Sequence, residues 1–335
     1  MVLIYPEEEG TEGGHVRMDI NIIASMLHNT FIFATPIMLA ALGGLFSERS
    51  GVVNIGLEGL MIMGAFSGAL FTLYGTDWGM GGFAPWFAII VAVFIGILFS
   101  IPHAVASISF RADQVVSGVA LNFLAAGLSI FLVKAIFDGK GQTPTLISLK
   151  KVSIPVLSDI PFLGKVFFTT YPTTYLAFLI VAIITYVVYK TAFGLRLRSV
   201  GEHPKAADTM GIKVLRMRYI GVMLSGALAA LGGALYPLTF SGNFSHSTIS
   251  GQGFMALAAL IFGKWHPVGA MGAAIFFGFA NSLAITGQSF GLTEYVPQEF
   301  LFMFPYFITI VALASFVGRA VAPAALGTPY DKSGR

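Results

Sequence analysis

Apolar residues in this chain come in long runs, and polar residues gather in short interruptions between them. About 20 apolar residues in helical form span the hydrocarbon core of a bilayer, and a backbone in lipid must pair its polar groups within a helix or a closed barrel. Runs at 30–46, 59–75, 85–107, 117–137, 173–191, 218–238, 253–263, 268–287 and 299–318 fit the helical solution. The alternating period of an outer-membrane barrel is missing from them. The pattern predicts an all-α integral membrane protein of about nine transmembrane helices. Two runs are weak: the first ends at a polar break, and 253–263 has the length of half a helix re-entering the bilayer.

Charge orients this array. With the N-terminus outside, 13 of the 19 Lys and Arg fall on the inner side, which favours nine crossings with the C-terminus inside; an even number is the competing count. The chain then divides into an extracellular tail at 1–29, a membrane domain at 30–318 and a cytoplasmic tail at 319–335. Residues 1–19 carry Glu7, Glu8, Glu9 and Glu12 where a signal peptide has a basic and then an apolar stretch. The outer connection 138–172 mixes Pro144, Pro155, Pro161 and Pro172 with Ile147, Leu157 and Phe162, as a folded cap does. The inner connection 192–217 is basic at both ends, with Glu202 and His203 ahead of a short helix after Pro204. It has the make-up of a docking element.

A hexapeptide, LAALGG, occurs at Leu39–Gly44 and again at Leu228–Gly233. Under this topology the copies run in opposite directions, as in an inverted repeat, whose solute path lies near the midplane between the halves.

The polar interruptions carry the candidate chemistry, because a charge at membrane depth is costly unless it is paired or faces water. Residues 47–59 hold Glu48, Arg49, Asn54 and Glu58 among glycines, and Asn54 and Glu58 are the pathway candidates. The bland reading is a cytoplasmic turn with a Glu48–Arg49 surface pair. Arg111 and Asp113 read as an interfacial pair before Asn122 and Phe123, which offer an amide to a neighbouring helix or a solute and a ring to a planar ligand. Residues 241–253, including Gln252, form a second polar stretch that reads as the opposite-side counterpart of the first, with a plain extracellular loop as the alternative for each of its residues. Asn281 is a lone amide in the eighth run, for which helix packing is the alternative.

Composition narrows the class. The chain is 56% hydrophobic and 10% charged, against about 25% charged in soluble domains, and its mean hydropathy is +0.82. With no cysteine it has no disulfide, thiolate metal site or cysteine nucleophile. The net charge of +3 sits beside the membrane runs, so it speaks for orientation in the bilayer and not for nucleic acid. No H-E-x-x-H, G-x-S-x-G or P-loop pattern occurs, so the chain is not read as an enzyme, no cofactor is expected on it, and ATP-driven work belongs to a separate chain.

Three stretches, ERSGVVNIGLEGLMIMGAF (48–66), RADQVVSGVALNFLA (111–125) and FGLRLRSVGEHPKAADTMGI (193–212), resemble the permease subunits of bacterial ABC importers. The resemblance is to the nucleoside branch of the ribose and branched-chain amino acid permease family, over roughly 30–318. It implies a plasma-membrane subunit working by alternating access with a second related permease, two ATPase subunits that hydrolyse the ATP, and an extracellular substrate-binding lipoprotein. It also implies two inverted halves with the first family helix missing. A coupling helix for the ATPase maps onto Gly201, Glu202, His203, Pro204, Lys205, Ala206, Ala207 and Gly211. Nucleosides are the expected solute. Simple sugars, branched-chain amino acids and flavin-like vitamins, or an ion-coupled carrier of similar architecture, remain the alternatives.

Overall fold

A computed structural model describes residues 20–289 and 321–331, with positions 300, 303 and 307 between them. The ninth run at 299–318 otherwise lies outside the described residues, as do residues 1–19 and the basic residues Arg17, Arg319, Lys332 and Arg335. The helices are α1 (Ile20–Arg49), α2 (Leu57–Asp77), α3 (Ala84–Ala104), α4 (Gln114–Ile136), α5 (Pro172–Lys190), α6 (Ala192–Glu202), α7 (Pro204–Thr209), α8 (Val214–Tyr236), α9 (Gln252–Phe262) and α10 (Pro267–Ser289). Wider π-type turns extend α3 over Val105–Ser109 and α8 over Pro237–Ser241. Among the described residues, seven helices are long and apolar enough to cross a membrane: α1, α2, α3, α4, α5, α8 and α10. The protein is thus an all-α, multi-pass membrane protein.

Helix α1 begins ten residues before its apolar run and takes in residues 20–29, which were expected in the tail. His28 in this stretch is drawn into the fold by Lys151 of the outer connection, which donates to its Nε2 at 3.1 Å, and Thr30 just after it donates to the Met26 carbonyl at 2.9 Å. Helix α9 has 11 residues, about 16 Å at 1.5 Å per residue, or half the hydrocarbon thickness.

Small residues let the helices close on one another. In lipid, where no hydrophobic drive joins helices, close van der Waals contact does that work. The LAALGG copies lie at one crossing of α1 and α8. A Cβ on Gly43 would stand 2.8 Å from the Ser225 carbonyl oxygen, and one on Gly232 would stand 2.5 Å from that of Pro36. The 138–172 connection is folded, with β1 (Val152–Ser153) antiparallel to β2 (Thr169–Thr170). It is pinned to the second break by Thr143 N–H to Phe244 O (2.9 Å) and Leu146 N–H to Gly242 O (2.8 Å), and to the end of α8 by Leu149 N–H to Leu238 O (2.9 Å).

Candidate functional site

Between α1 and α2 the chain is not helical from 50 to 56, although Val52 and Asn54 within it are completely buried. Irregular backbone at membrane depth survives only where protein groups replace the missing helix bonds. Side chains from two other helices, α3 and α4, do so here. Gln114 Oε1 accepts from Val53 N–H at 2.7 Å, and His103 Nε2–H donates to the Val53 carbonyl at 3.0 Å while Nδ1 pairs with the Ser117 hydroxyl at 3.0 Å. Asn122 Oδ1 accepts from Gly59 N–H at 2.7 Å, and its Nδ2 donates to Ile55 O at 3.0 Å. Asn54 Nδ2 donates to Ser225 Oγ on α8 at 2.8 Å.

The second break meets the first at Glu58. Its two carboxyl oxygens accept from Gly251 N–H and Gly253 N–H, each at 2.6 Å, so the first turn of α2 closes the N-terminus of α9. A helix N-terminus presents unpaired N–H groups and a positive dipole end, which suits a carboxyl group. Glycine is required on both sides of this contact: Gly251 has φ +97°, and a Cβ on Gly253 would overlap the Glu58 backbone. Gln252 turns its side-chain oxygen back to Ser250 N–H.

The other end of α9 is held by the end of α1. Trp265, 5% exposed, donates its indole N–H to Glu48 Oε2 at 2.5 Å, and its carbonyl accepts from Arg49 Nε at 3.0 Å and Nη2 at 2.9 Å. Glu48 and Arg49 therefore do not form the surface pair that a simple turn would have, because each is drawn to a different polar group of Trp265. Around them Tyr189 stacks on His266 at 4.8 Å between ring centres, with the Arg198 guanidinium 4.8 Å above the Tyr189 ring. Burial, and then the Arg49 charge, hold the His266 imidazole below its ordinary pKa.

The connection 192–217 holds two short helices, α6 and α7, one more than its sequence suggests. Glu202 pairs with Arg49 at 3.7 Å and accepts from Ala324 N–H at 3.1 Å, while Gly201 O accepts from Ala325 N–H at 2.9 Å. The segment 321–331 crosses this face. It also joins Gly327 N–H to Gly51 O (3.2 Å), Thr328 O to the buried Arg218 (2.9 Å) and the Asp331 carboxylate to both terminal nitrogens of Arg111 (2.9 Å each). The expected Arg111–Asp113 pair is thus replaced. Asp113 instead caps α4, accepting from Val115 N–H (2.8 Å) and Val116 N–H (2.9 Å), as an N-cap carboxylate does. In the loop, Ala207 is buried, Pro204 is half-buried at the first position of α7, and His203, Lys205, Ala206 and Gly211 are exposed beside Met210.

The structure brings Asn54, Glu58, Asn122 and Gln252 together around the two breaks. Asn281 stands apart from them on α10, donating to its own Phe277 carbonyl at 3.1 Å with Met255 Sδ at 3.9 Å. Phe123 is 74% exposed on the outward side of α4. Sequence reasoning missed Trp265, Ser225 and His103. The signal for Trp265 was the polar turn Gly-Lys-Trp-His-Pro at 263–267, and nothing local marks the other two.

A bundle of membrane helices, broken twice and resealed by its own side chains, belongs to the class of multi-pass transport proteins. The chain belongs to the family described as branched-chain amino acid transport system, permease component, which matches residues 26–313. It is 56% identical over 322 residues to the guanosine ABC transporter permease protein NupQ of Bacillus subtilis (strain 168), covering 95% of this chain and 100% of that one. The nucleoside ABC transporter permease protein NupC of Lactococcus lactis subsp. cremoris (strain MG1363) is 48% identical over 94% of this chain and 99% of its own. The guanosine ABC transporter permease protein NupP, from the same Bacillus strain as NupQ, is 25% identical over 86% of this chain and 80% of its own.

Proposed function

We propose that this chain is a permease subunit of an ATP-driven importer of nucleosides in a bacterial plasma membrane. The observation that carries the reading is full-length likeness to a guanosine permease protein, together with the glycines and carboxyl that shape the two breaks. Two permeases of unequal likeness to this chain bear the same transporter name in one strain, which supports a pair of unlike permeases. Two ATPase subunits and an extracellular binding lipoprotein complete the assembly.

In this reading the chain crosses nine times, N-terminus outside and C-terminus inside, as two inverted halves. The seventh crossing consists of the non-helical stretch leading in from the outside plus α9. The tail ahead of α1 is then outside, 138–172 caps the outer face, and 319–335 lies inside. The ATPase docks on the exposed residues His203, Lys205, Ala206 and Gly211, beside a cleft of about 500 Å³ lined by Phe193, Arg196, Met210, Lys213 and Arg216. Gly201, Glu202, Pro204 and Ala207 hold that loop from behind. ATP binding pushes on this loop, and the paired permeases rock to alternate the access of a path between them.

Asn54, Glu58, Asn122, Gln252 and Asn281 serve the path by fixing its walls, with Phe123 the ring offered to a base. Bases stack and ribose hydroxyls need directional partners, so an amide and aromatic path suits nucleosides. The test is uptake of labelled guanosine by the complete complex in proteoliposomes, with adenosine, uridine and ribose as competitors. Inhibition by the nucleosides is expected, and inhibition by ribose alone would overturn the substrate. A Glu202→Lys, Ala206→Asp variant is expected to abolish uptake at equal membrane abundance.

A further inference from the structure

Resting on the importer reading, we propose that Arg49 is the positioning residue that joins the coupling loop to α9, so that the ATPase stroke is delivered to both polar breaks at once. Arg49 reaches three separate elements. One terminal nitrogen faces Glu202, the last residue before the α6–α7 corner, at 3.7 Å. The guanidinium edge grips the Trp265 carbonyl through Nε (3.0 Å) and Nη2 (2.9 Å), and Nη2 also meets the Tyr189 hydroxyl on α5 at 3.4 Å. Only a planar fork of donors can serve these directions together, which a lysine cannot do.

The two links differ in stiffness. Trp265 is fixed through both of its polar groups, since its indole N–H goes to Glu48, the residue next to Arg49. Lys264 and Trp265 have φ of +53° and +52°, a left-handed conformation that non-glycine residues keep only when their surroundings hold them there. The Arg49–Glu202 pair is looser, about 0.8 Å longer than a tight charge-assisted hydrogen bond, and its Glu202 side chain is 45% exposed. A push on the loop therefore first closes or opens this pair. It then moves α9 through Trp265, and through Glu58 at the far end of α9 it reaches the start of α2. The second oxygen of Glu202 is held by Ala324, so the carboxylate is aimed even while the pair adjusts.

The experiment compares the complete complex with Arg49→Gln, Glu202→Gln and Arg49→Lys, reading labelled guanosine taken up per ATP hydrolysed at equal protein. Coupling energies between sites typically correspond to factors of 5–150, so both Gln variants are expected to lower the ratio at least about fivefold while ATP hydrolysis continues. Arg49→Lys is expected to recover part of it, because the charge opposite Glu202 returns without the fork. Glu202→Gln alters an exposed carboxylate and keeps the Ala324 acceptor, so it remains informative if Arg49→Gln fails to fold. An unchanged ratio in Glu202→Gln would overturn the proposal, as would uptake and hydrolysis falling in proportion to folded protein. Absence of ATP-dependent guanosine uptake in the unaltered complex would instead refute the importer reading.

Discussion

The two ends of α9 are held by one stretch of chain, residues 48–58, through opposite chemistry. At its start, backbone N–H groups donate to a carboxyl, and at its end, a backbone carbonyl and an indole N–H engage Arg49 and Glu48. The start of a helix offers unpaired donors, which suits the acid Glu58, whereas the last carbonyls of α9 are taken by the N–H groups of Gly263, Lys264 and Trp265, and Arg49 engages the Trp265 carbonyl three residues beyond the helix. The start is read entirely through the backbone. Its grip depends on glycines and not on any side chain of α9. The end is read through a backbone carbonyl and one side chain, the Trp265 indole, so it is the end where sequence can tune the joint.

Four substitutions probe this difference, from the largest effect to the smallest. Glu58→Ala orphans two N–H groups, each worth about 1–3 kcal/mol when left unpaired in the interior, and is expected to lower the unfolding temperature most and abolish uptake. Trp265→Phe keeps the ring but removes the donor to Glu48; a loss of about 1–3 kcal/mol is expected in the same melting measurement. Asn122→Leu removes the partners of Gly59 N–H and Ile55 O on the α4 side. It is expected to cost about as much as Trp265→Phe on the same hydrogen-bond scale, with uptake reduced but measurable. Phe123→Ala changes an exposed ring, so stability should move by under about 0.5 kcal/mol. Its effect is expected in guanosine affinity, about two- to tenfold if one stacking contact is lost.

Long apolar runs made most of the membrane helices legible, because lipid leaves a backbone few other solutions. The start of α1 was not, since Asn21, Ser25, His28 and Asn29 interrupt the apolar pattern there, and the Lys151 bond that draws His28 into the fold is not part of that pattern. Helix α6 was hidden for a related reason: FGLRLRSVGE alternates charge and apolar residues as a loop at a membrane surface also does. Asn54, Glu58 and Asn122 were found by the cost of burying polar groups. That cost cannot distinguish a side chain facing a solute from one completing a broken backbone, and here the bonds run to the backbone and to Ser225. Arg111 was misassigned because its partner, Asp331, lies 220 positions away.

The most direct test of the account measures whether α9 and the coupling loop move as one body. The chain has no cysteine of its own, so spin labels can be placed at Thr209 on α7 and Phe254 on α9, both exposed. Pulsed electron resonance would then compare the complete complex without nucleotide and with ATP bound. The account predicts that the separation stays within about 2 Å, the scale of a small helix shift. A change of about 5 Å, one helical turn, would contradict it by showing that the loop moves without α9.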